Sequence, residues 1–179
     1  MMFPYISLDL ETTGLNPETC QILEIAAIYD TGVGPLKDQP AFHALVEHGL
    51  YQGEPFALSM HQKIFRALAL HEDRILTAVG AARALREWVS SLPPRVPNLV
   101  GKNPGFDLSF LRKMPGWVDI FCRRLMDPAV LYYKEGDLTL PNTDECLRRA
   151  GLAATESHRA MGDALDVCRL IRYKFGGEL

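Results

Sequence analysis

The sequence of 179 residues predicts an α/β fold, in which a mixed central β-sheet is flanked by α-helices. Three segments near the N-terminus, residues 5–10, 22–29 and 42–46, have the composition of strands and are joined only by turns. Links this short favour antiparallel neighbours. Beyond Pro55 the apolar residues recur at three- and four-residue intervals, which indicates amphipathic helices packed on the sheet.

The first predicted strand alternates apolar and polar side chains. The alternating residues are, in order, Ile6, Ser7, Leu8, Asp9, Leu10 and Glu11. This period is that of a half-buried strand. The second predicted strand is a β-branched, apolar run that contains Glu24, and the third is shorter but similar.

The rest of the chain alternates predicted helices with short predicted strands. The turn formed by Asn103, Pro104 and Gly105 is a plausible break before a new helix. Two further strands are expected over residues 98–100 and 124–126. Helices are expected over residues 58–70, 76–92, 106–114, 128–133, 144–150 and 160–173.

The composition limits the classes of protein that fit. An apolar share of 47% over 179 residues suits one compact domain, residues 1–179, and leaves little room for a second. No signal peptide and no apolar run of about 20 residues is visible, so we expect a soluble, cytoplasmic protein without a membrane segment. The net charge of -3 argues against a protein that coats duplex nucleic acid, but not against an enzyme that grips a few nucleotides.

The cysteines indicate neither a metal nor a redox site. They lie far apart and form no CxxC pair, so a zinc knuckle or a redox dithiol is not predicted. We expect free, buried thiols at Cys20, Cys122, Cys146 and Cys168.

Two carboxylates close the first predicted strand. Asp9 and Glu11 share one face of the strand and are separated by about 7 Å of strand rise, so they could hold a hard cation between them. Surface carboxylates are also common at strand ends, and that reading stays open. The apolar residues that flank Asp9 nevertheless indicate a core strand, where an uncompensated charge is costly.

Two later segments carry further candidates. Asp107 falls in the first turn of a predicted helix, where it could bind a metal or simply interact with the helix dipole, and Asn103 could be no more than a turn residue. His158 precedes Asp163 by five positions and could face the same cleft, although a lone histidine is more often a surface or capping residue. Asp166, three residues further on, is predicted to point toward solvent.

Read in order, these segments resemble the DEDDh family of 3′-to-5′ exonucleases, which belongs to the ribonuclease H-like superfamily and includes DnaQ-like proteins and oligoribonucleases. The first motif is LDLETTGL at residues 8–15, the second is NPGFD at 103–107, and the third is HRAMGD at 158–163. The run ILEIA at 22–26 is similar to the family's second strand. The resemblance covers about residues 5–173 and is weak only between Pro55 and Pro97.

The resemblance implies a ribonuclease H-like fold and a metal-dependent hydrolase. Asp9, Glu11, Asp107 and Asp163 would bind two Mg²⁺ or Mn²⁺ ions, and carboxylates do suit hard, oxygen-seeking cations. Two such ions would orient the attacking water and steady the leaving 3′ oxygen. His158 would be the general base, a role that suits a group whose ordinary pKa is about 6.5. The reaction would release nucleoside 5′-monophosphates from the 3′ end of single-stranded DNA, RNA or short oligonucleotides.

The resemblance also implies substrate contacts. Leu15 would wedge against the terminal base, although it could equally be a packing residue. Met60 and His61 resemble the segment that covers the terminal nucleotide in relatives, but a helix N-terminus explains that segment as well. The residues assigned to substrate are Thr12, Thr13, Gly14, Leu15, Met60, His61 and Asn103.

Two alternatives of different character stay open. The chain could be a proofreading subunit that acts beside a DNA polymerase, or a catalytically silent interaction subunit that keeps the fold. A silent subunit is expected to have lost a carboxylate or the histidine, and none of the five is altered here. A homodimer is possible, since the family contains both dimers and monomers.

Overall fold

The computed structural model describes residues 3–93, 97–155 and 159–179. Its centre is a five-stranded sheet with the order β4-β3-β2-β1-β5. The strands are β1 (Tyr5–Thr12), β2 (Ile22–Asp30), β3 (Ala41–Glu47), β4 (Ile75–Thr77) and β5 (Asn98–Val100). The predicted fold class, a mixed sheet with flanking helices, is confirmed.

The pairing of the strands follows from the length of their connections. β1 pairs antiparallel with β2, and β2 pairs antiparallel with β3, as short links favour. β5 runs parallel to β1, and β4 runs parallel to β3, each after a connection that contains helices. The helices are α1 (Pro55–Met60), α2 (Gln62–Leu70), α3 (Ala78–Ser90), α4 (Pro104–Leu111), α5 (Thr143–Ala150) and α6 (Ala160–Phe175), with 3₁₀ turns at Leu36–Asp38 and Pro128–Leu131.

Strand β1 is covered on both faces, so the expectation of a half-buried strand was wrong. Its apolar face packs in one core cluster with residues of α3 and α4, including Leu85 and Leu108. Its other face lies under α6, where Tyr5 packs with Val167 and the hydroxyl of Ser7 donates a hydrogen bond of 2.8 Å to the carbonyl of Ala164. The alternation of the sequence therefore separates two different interiors rather than an interior from solvent.

The region between β3 and α3 differs from the prediction. The expected helix over 58–70 is two helices, α1 and α2, which meet at His61. The expected helix over 76–92 begins later, because Ile75–Thr77 forms a strand parallel to β3 and Thr77 caps α3 by accepting a hydrogen bond from Gly80 N–H at 3.2 Å. Three residues are too few to show a strand period, so the apolar spacing of α3 obscured this strand.

The region after α4 also differs. Residues 124–126 form no strand, and Met126 makes only an isolated bridge to Val100. The helix expected over 128–133 is a single 3₁₀ turn, which Asp127 caps by accepting a hydrogen bond from Ala129 N–H. A turn this short cannot be distinguished from an α-helix by periodicity.

The cysteines match the expectation of free, buried thiols only in part. In the part of the chain that the structure describes, all four cysteines are free; Cys146 and Cys168 are buried, whereas Cys20 and Cys122 are only partly so. Among the described helices, none combines the length and the apolar character that a membrane crossing requires.

A fully buried ion pair joins β2 to α6 at the end of the sheet away from the acidic motifs. Asp30 and Arg172 are both 0% exposed and lie 2.7 Å apart, and the Tyr5 hydroxyl donates to Asp30 at 2.6 Å. Burial opposes the charge of Asp30, but the hydrogen bonds from Arg172 and Tyr5 outweigh it and hold the pKa of Asp30 below its ordinary value.

Breaking this pair should be costly. Asp30→Asn is expected to lower the free energy of unfolding by about 3–5 kcal/mol, because it leaves the Arg172 charge buried without its partner. Asp119→Asn is the matched control, since the Asp119–Arg112 pair is half exposed and should contribute less than about 1 kcal/mol. Urea unfolding of both variants measures the difference, and equal losses would contradict this assignment.

Candidate active site

Three carboxylates meet where β1 ends. Asp9 and Glu11 lie near the C-terminal end of that strand, and Asp163 lies in the first turn of α6. One oxygen atom from each of the three side chains lies within 4.8 Å of the others. Two motifs separated by about 150 positions in the sequence are thus adjacent in the structure.

Asp107 reaches the same place from the first turn of α4. Its side chain is buried, and its Oδ1 accepts a hydrogen bond of 3.1 Å from the backbone N–H of Leu10, the residue between Asp9 and Glu11. Its charge contributes to the raised pKa of both Asp9 and Glu11. Asp9, Glu11, Asp107 and Asp163 are called the acidic cluster below.

The acidic cluster is electrostatically unfavourable by itself. Burial and then the charges of Asp107 and Asp163 raise the pKa of Asp9 well above its ordinary value. Burial and then the charges of Asp163 and Glu24 raise the pKa of Glu11 to about 8. Burial also raises the pKa of Asp107 to about 7, although the hydrogen bond from Leu10 opposes this. The protein therefore holds several acids that resist ionisation unless a positive charge lies among them.

The donors of the acidic cluster fit a hard divalent cation. All of them are carboxylate oxygens, which Mg²⁺ and Mn²⁺ prefer, and no thiolate is among them. A cation would relieve the repulsion that raises the pKa values of Asp9 and Glu11. The residues present thus fit the metal ions that the family resemblance implies.

His61 lies beside the acidic cluster. It occupies the junction of α1 and α2, is 4% exposed, and its Nε2 lies 3.6 Å from Glu11 Oε2. Met60, the last residue of α1, is partly exposed next to it. Of the two residues assigned to substrate from the α1 segment, His61 therefore lies against a carboxylate of the acidic cluster, and the substrate contact of Met60 stays a prediction.

The proposed base, His158, lies outside the described residues. Its neighbours show how the start of α6 is held: Thr155 N–H donates to Asp166 Oδ2 at 3.0 Å, and Thr155 Oγ1 donates to Gly162 O at 2.8 Å. Asp166 is 2% exposed, so the expectation that it points to solvent was wrong. Asp166 thus bonds to Thr155, and it also pairs with Arg169 at 2.7 Å.

The turn after β1 is held by its own polar groups. The Thr12 hydroxyl donates to the Gly14 carbonyl at 2.8 Å, and the Thr13 hydroxyl donates to the Gln52 carbonyl at 2.5 Å. Thr13 is fully buried, and its backbone N–H donates to the Gln21 carbonyl at 2.8 Å. These groups fix the shape of the turn, and the assignment of Thr12 and Thr13 to the substrate stays a prediction.

Gly14 and Leu15 lie against the segment that begins α1. A Cβ atom on Gly14 would lie 2.6 Å from Cys20 Sγ and 2.8 Å from Glu54 Cδ, so a larger residue does not fit without movement. The backbone N–H of Leu15 donates to Glu54 Oε1 at 3.0 Å, while the Leu15 side chain is 74% exposed. Leu15 is therefore an exposed apolar residue rather than a packing residue.

Comparison with known proteins identifies the family. Residues 6–171 match the exonuclease (RNase T) family. The chain belongs to this exonuclease family. The match covers the three acidic motifs and extends over most of the chain, so the predicted DnaQ-like, DEDDh resemblance and the class of enzyme, a nuclease that hydrolyses phosphodiester bonds, are confirmed.

Individual relatives support the family. The chain is 30% identical over 178 residues to an oligoribonuclease of Photobacterium profundum. The alignment covers 94% of this chain and 91% of that protein. It is also 26% identical over 166 residues to a PolC-type DNA polymerase III of Thermotoga maritima. That alignment covers 89% of this chain but only 11% of the polymerase.

Solved structures support the ribonuclease H-like fold. A structure of exonuclease I superposes with a TM-score of 0.72 at 16% identity and covers 98% of this chain. Escherichia coli exonuclease I in complex with a dT13 oligonucleotide superposes with a TM-score of 0.67 at 18% identity. In both cases the chain spans 41% of the length of the exonuclease I chain.

One exposed aromatic side chain of the exonuclease was not predicted, and it lies on the segment that is bonded to the turn carrying Leu15. Phe56 is 76% exposed in the first turn of α1, two residues after Glu54, which accepts the Leu15 N–H. An exposed aromatic ring offers a surface on which a nucleobase can stack. The sequence does not distinguish Phe56, because its neighbours Ala57 and Leu58 are also apolar.

Asn103 adopts a left-handed backbone conformation at the start of α4, with φ of 49°. Its N–H donates to Asp127 Oδ2 at 2.9 Å, and this bond ties the second motif of the exonuclease to the 3₁₀ turn that follows. Asparagine tolerates this conformation better than most residues, which explains the turn without reference to a substrate. The substrate contact of Asn103 stays a prediction.

Proposed function

We propose that this exonuclease domain removes nucleoside 5′-monophosphates one at a time from the 3′ end of single-stranded nucleic acid, with short oligonucleotides as the preferred substrates. The observation that carries the proposal is the convergence of Asp9, Glu11 and Asp163 within 4.8 Å, with Asp107 bonded to the strand between the first two. We treat residues 1–179 as one catalytic domain.

The acidic cluster would hold two divalent ions, Mg²⁺ or Mn²⁺. When bound, such ions polarise the phosphate, lower the pKa of a water molecule and stabilise the charge that develops on the leaving oxygen. The chain supplies the positions of the four carboxylates, which come from three elements, β1, α4 and α6, that meet at the same end of the sheet. Rigid support of this kind keeps the reacting groups aligned without a change of conformation during the reaction.

His158 would act as the general base that accepts the proton of the attacking water. It precedes α6 by two residues in the sequence, and α6 places Asp163 in the acidic cluster. An imidazole suits this task because its ordinary pKa lies near neutral pH. The short connection between the two residues supports a common location.

Leu15, Phe56 and Met60 would contact the terminal bases. All three are exposed apolar side chains, and they lie on the two segments that Glu54 joins beside the acidic cluster. Apolar and aromatic contacts accept any base, so they suit an enzyme that degrades unpaired ends irrespective of sequence.

Short oligonucleotides are favoured as substrates by the similarity to the oligoribonuclease, because the chain covers 91% of that relative's length. The similarity to the PolC-type polymerase supports a second candidate, a proofreading exonuclease that works beside a polymerase. A silent subunit is disfavoured because every carboxylate of the acidic cluster is retained. A homodimer remains compatible with either function.

The proposal is tested with 5′-labelled DNA and RNA single strands and with RNAs of two to five nucleotides, each incubated with Mg²⁺ or Mn²⁺. We expect a ladder that shortens from the 3′ end, with the shortest RNAs consumed fastest. The same strand with a 3′-terminal phosphate is the control. Products cut internally, or no product with any substrate, would refute the exonuclease proposal, and tight co-purification with a polymerase would favour the second candidate.

The role of His158 has its own test. Wild-type activity should rise as the pH increases through the imidazole pKa, because only neutral histidine accepts a proton. His158→Ala should lower kcat on the order of a hundredfold or more and remove that rise. Rates measured at saturating metal across this pH range decide the matter, and a profile that keeps its rise in His158→Ala would exclude His158 as the base.

A further inference from the structure

Glu24 is a buried carboxylate next to the acidic cluster, and it lies outside the three acidic motifs. It lies in β2 directly opposite Glu11 of β1, and its side chain is 0% exposed. Its charge contributes to the raised pKa of Asp9 and of Glu11, so its presence makes the acidic cluster less favourable. A buried charge in such a place requires a compensating function or compensating partners.

The partners of Glu24 come from two elements. Oε1 accepts a hydrogen bond from Arg159 Nε at 2.9 Å and lies 2.6 Å from His43 Nε2 of β3, while Oε2 accepts a bond from Ala160 N–H at 3.1 Å. Arg159 also contacts Asp73 at 3.3 Å. Burial opposes ionisation of Glu24, but these bonds outweigh it and hold its pKa below the ordinary value.

Glu24 therefore replaces a missing cap on α6. The N-cap residue of that helix, Arg159, provides no side-chain cap. The carboxylate of Glu24, which lies on strand β2, instead accepts a hydrogen bond from the first N–H of the helix, that of Ala160. An anion at a helix N-terminus is also favoured by the helix dipole. The beginning of α6 is thus fixed to the sheet at the position opposite Glu11.

The segment that carries His158 is bounded by two anchors. On the preceding side, Thr155 is bonded to Asp166 and Gly162 of α6, and on the following side Arg159 and Ala160 are bonded to Glu24. His158 is the residue immediately before the second anchor. We infer that Glu24 is a positioning residue for the proposed base, because it fixes the Arg159–Ala160 peptide, which His158 directly precedes in the sequence. The inference rests on the proposed function, in which His158 accepts a proton.

Glu24→Gln removes the charge and keeps the shape. We expect kcat to fall about 10- to 100-fold, as substitutions of supporting residues do, while KM changes less than about twofold because substrate contacts are untouched. The concentration of Mg²⁺ at half-maximal rate should stay within about twofold of wild type, since Glu24 is not a member of the acidic cluster. A variant with wild-type kcat would overturn the inference.

Asp30→Asn is the matched control, because Asp30 is also a buried carboxylate of β2 that pairs with an arginine of α6, but at the far end of both elements. Its kcat per folded molecule should equal wild type even though its stability falls. Tyr5→Phe, which removes only the hydrogen bond to Asp30, serves if Asp30→Asn does not fold. If Glu24→Gln does not fold, Arg159→Met replaces it as the test variant, because it removes the ion pair with Glu24 by changing the partly exposed partner.

A double-mutant cycle separates positioning from general damage. If Glu24 acts through His158, Glu24→Gln should lower kcat less than about twofold in a His158→Ala background, whereas independent effects would multiply. Equal losses in the two backgrounds would overturn the inference.

Amide hydrogen exchange provides a readout that needs no activity. Glu24→Gln should increase exchange at the N-terminus of α6, and Asp30→Asn should not; unchanged exchange in Glu24→Gln would contradict the anchor. Inactivity of the wild-type protein would count against the proposed function alone, since the exchange measurement would still decide whether Glu24 anchors the helix.

Discussion

Asp163→Asn should lower the rate of hydrolysis on the order of a thousandfold or more, because it removes one of the carboxylates that would hold the divalent ions. The substitution keeps the size of the side chain and its place in the first turn of α6. In the metal-free protein it should raise the unfolding temperature, since it removes a charge that repels Asp9 and Glu11. Loss of activity combined with a gain of stability is a signature that simple misfolding cannot produce.

Asp144→Asn is the matched control for Asp163→Asn. Asp144 also lies in the first turn of a helix, α5, but it is exposed and outside the acidic cluster. Steady-state rates with a labelled oligonucleotide, together with thermal unfolding in EDTA, test the pair. If the two variants behave alike, Asp163 serves the helix dipole and not a metal site.

Metal removal should make the protein sensitive to alkaline pH. The pKa values of Glu11 and Asp107 are raised to about 8 and about 7, whereas in the unfolded chain both groups titrate near pH 4. The folded protein therefore retains protons that the unfolded chain has lost, and stability falls as the pH rises from about 4 to about 8. The loss should be on the order of a few kcal/mol, or about 10 °C in the unfolding temperature of a protein of this size.

Divalent ions should reverse this loss. Binding requires the ionised carboxylates, so Mg²⁺ should raise the unfolding temperature more near pH 8 than near pH 5. Glu11→Gln, which removes one of the titrating groups, should show a shallower decline in EDTA. Thermal unfolding with EDTA and with Mg²⁺ across this range provides the measurement, and a metal-free protein that becomes more stable through this pH range would refute the electrostatic account.

The sequence allowed the acidic cluster to be predicted because each carboxylate lies at a position with a readable local structure. Asp9 lies on an alternating strand, Asp107 lies just after a proline-glycine turn, and Asp163 lies in the first turn of an amphipathic helix. Their meeting depended on the resemblance to the family, since nothing in the spacing of distant segments states which of them are neighbours.

Other features depended on tertiary packing and could not be predicted. Strand β4 is too short to show a period, and it forms only because β3 offers a parallel edge. Asp166 is covered by a loop that a helical period does not describe. Glu24 was part of an apolar run, and its function as an anchor depends on Arg159, which is 135 residues away. Phe56 is exposed, so a pattern that indicates burial could not reveal it.

Calorimetric titration of Mn²⁺ into the metal-free protein tests most directly whether the acidic cluster is a divalent-metal site. Near neutral pH we expect saturable binding accompanied by release of protons, seen as heats that differ between buffers, because the cluster must ionise fully to bind. Asp9→Asn should abolish this binding, and Asp144→Asn should retain it. Absence of saturable binding in the wild-type protein, or equal binding in both variants, would contradict the metal-dependent exonuclease described here.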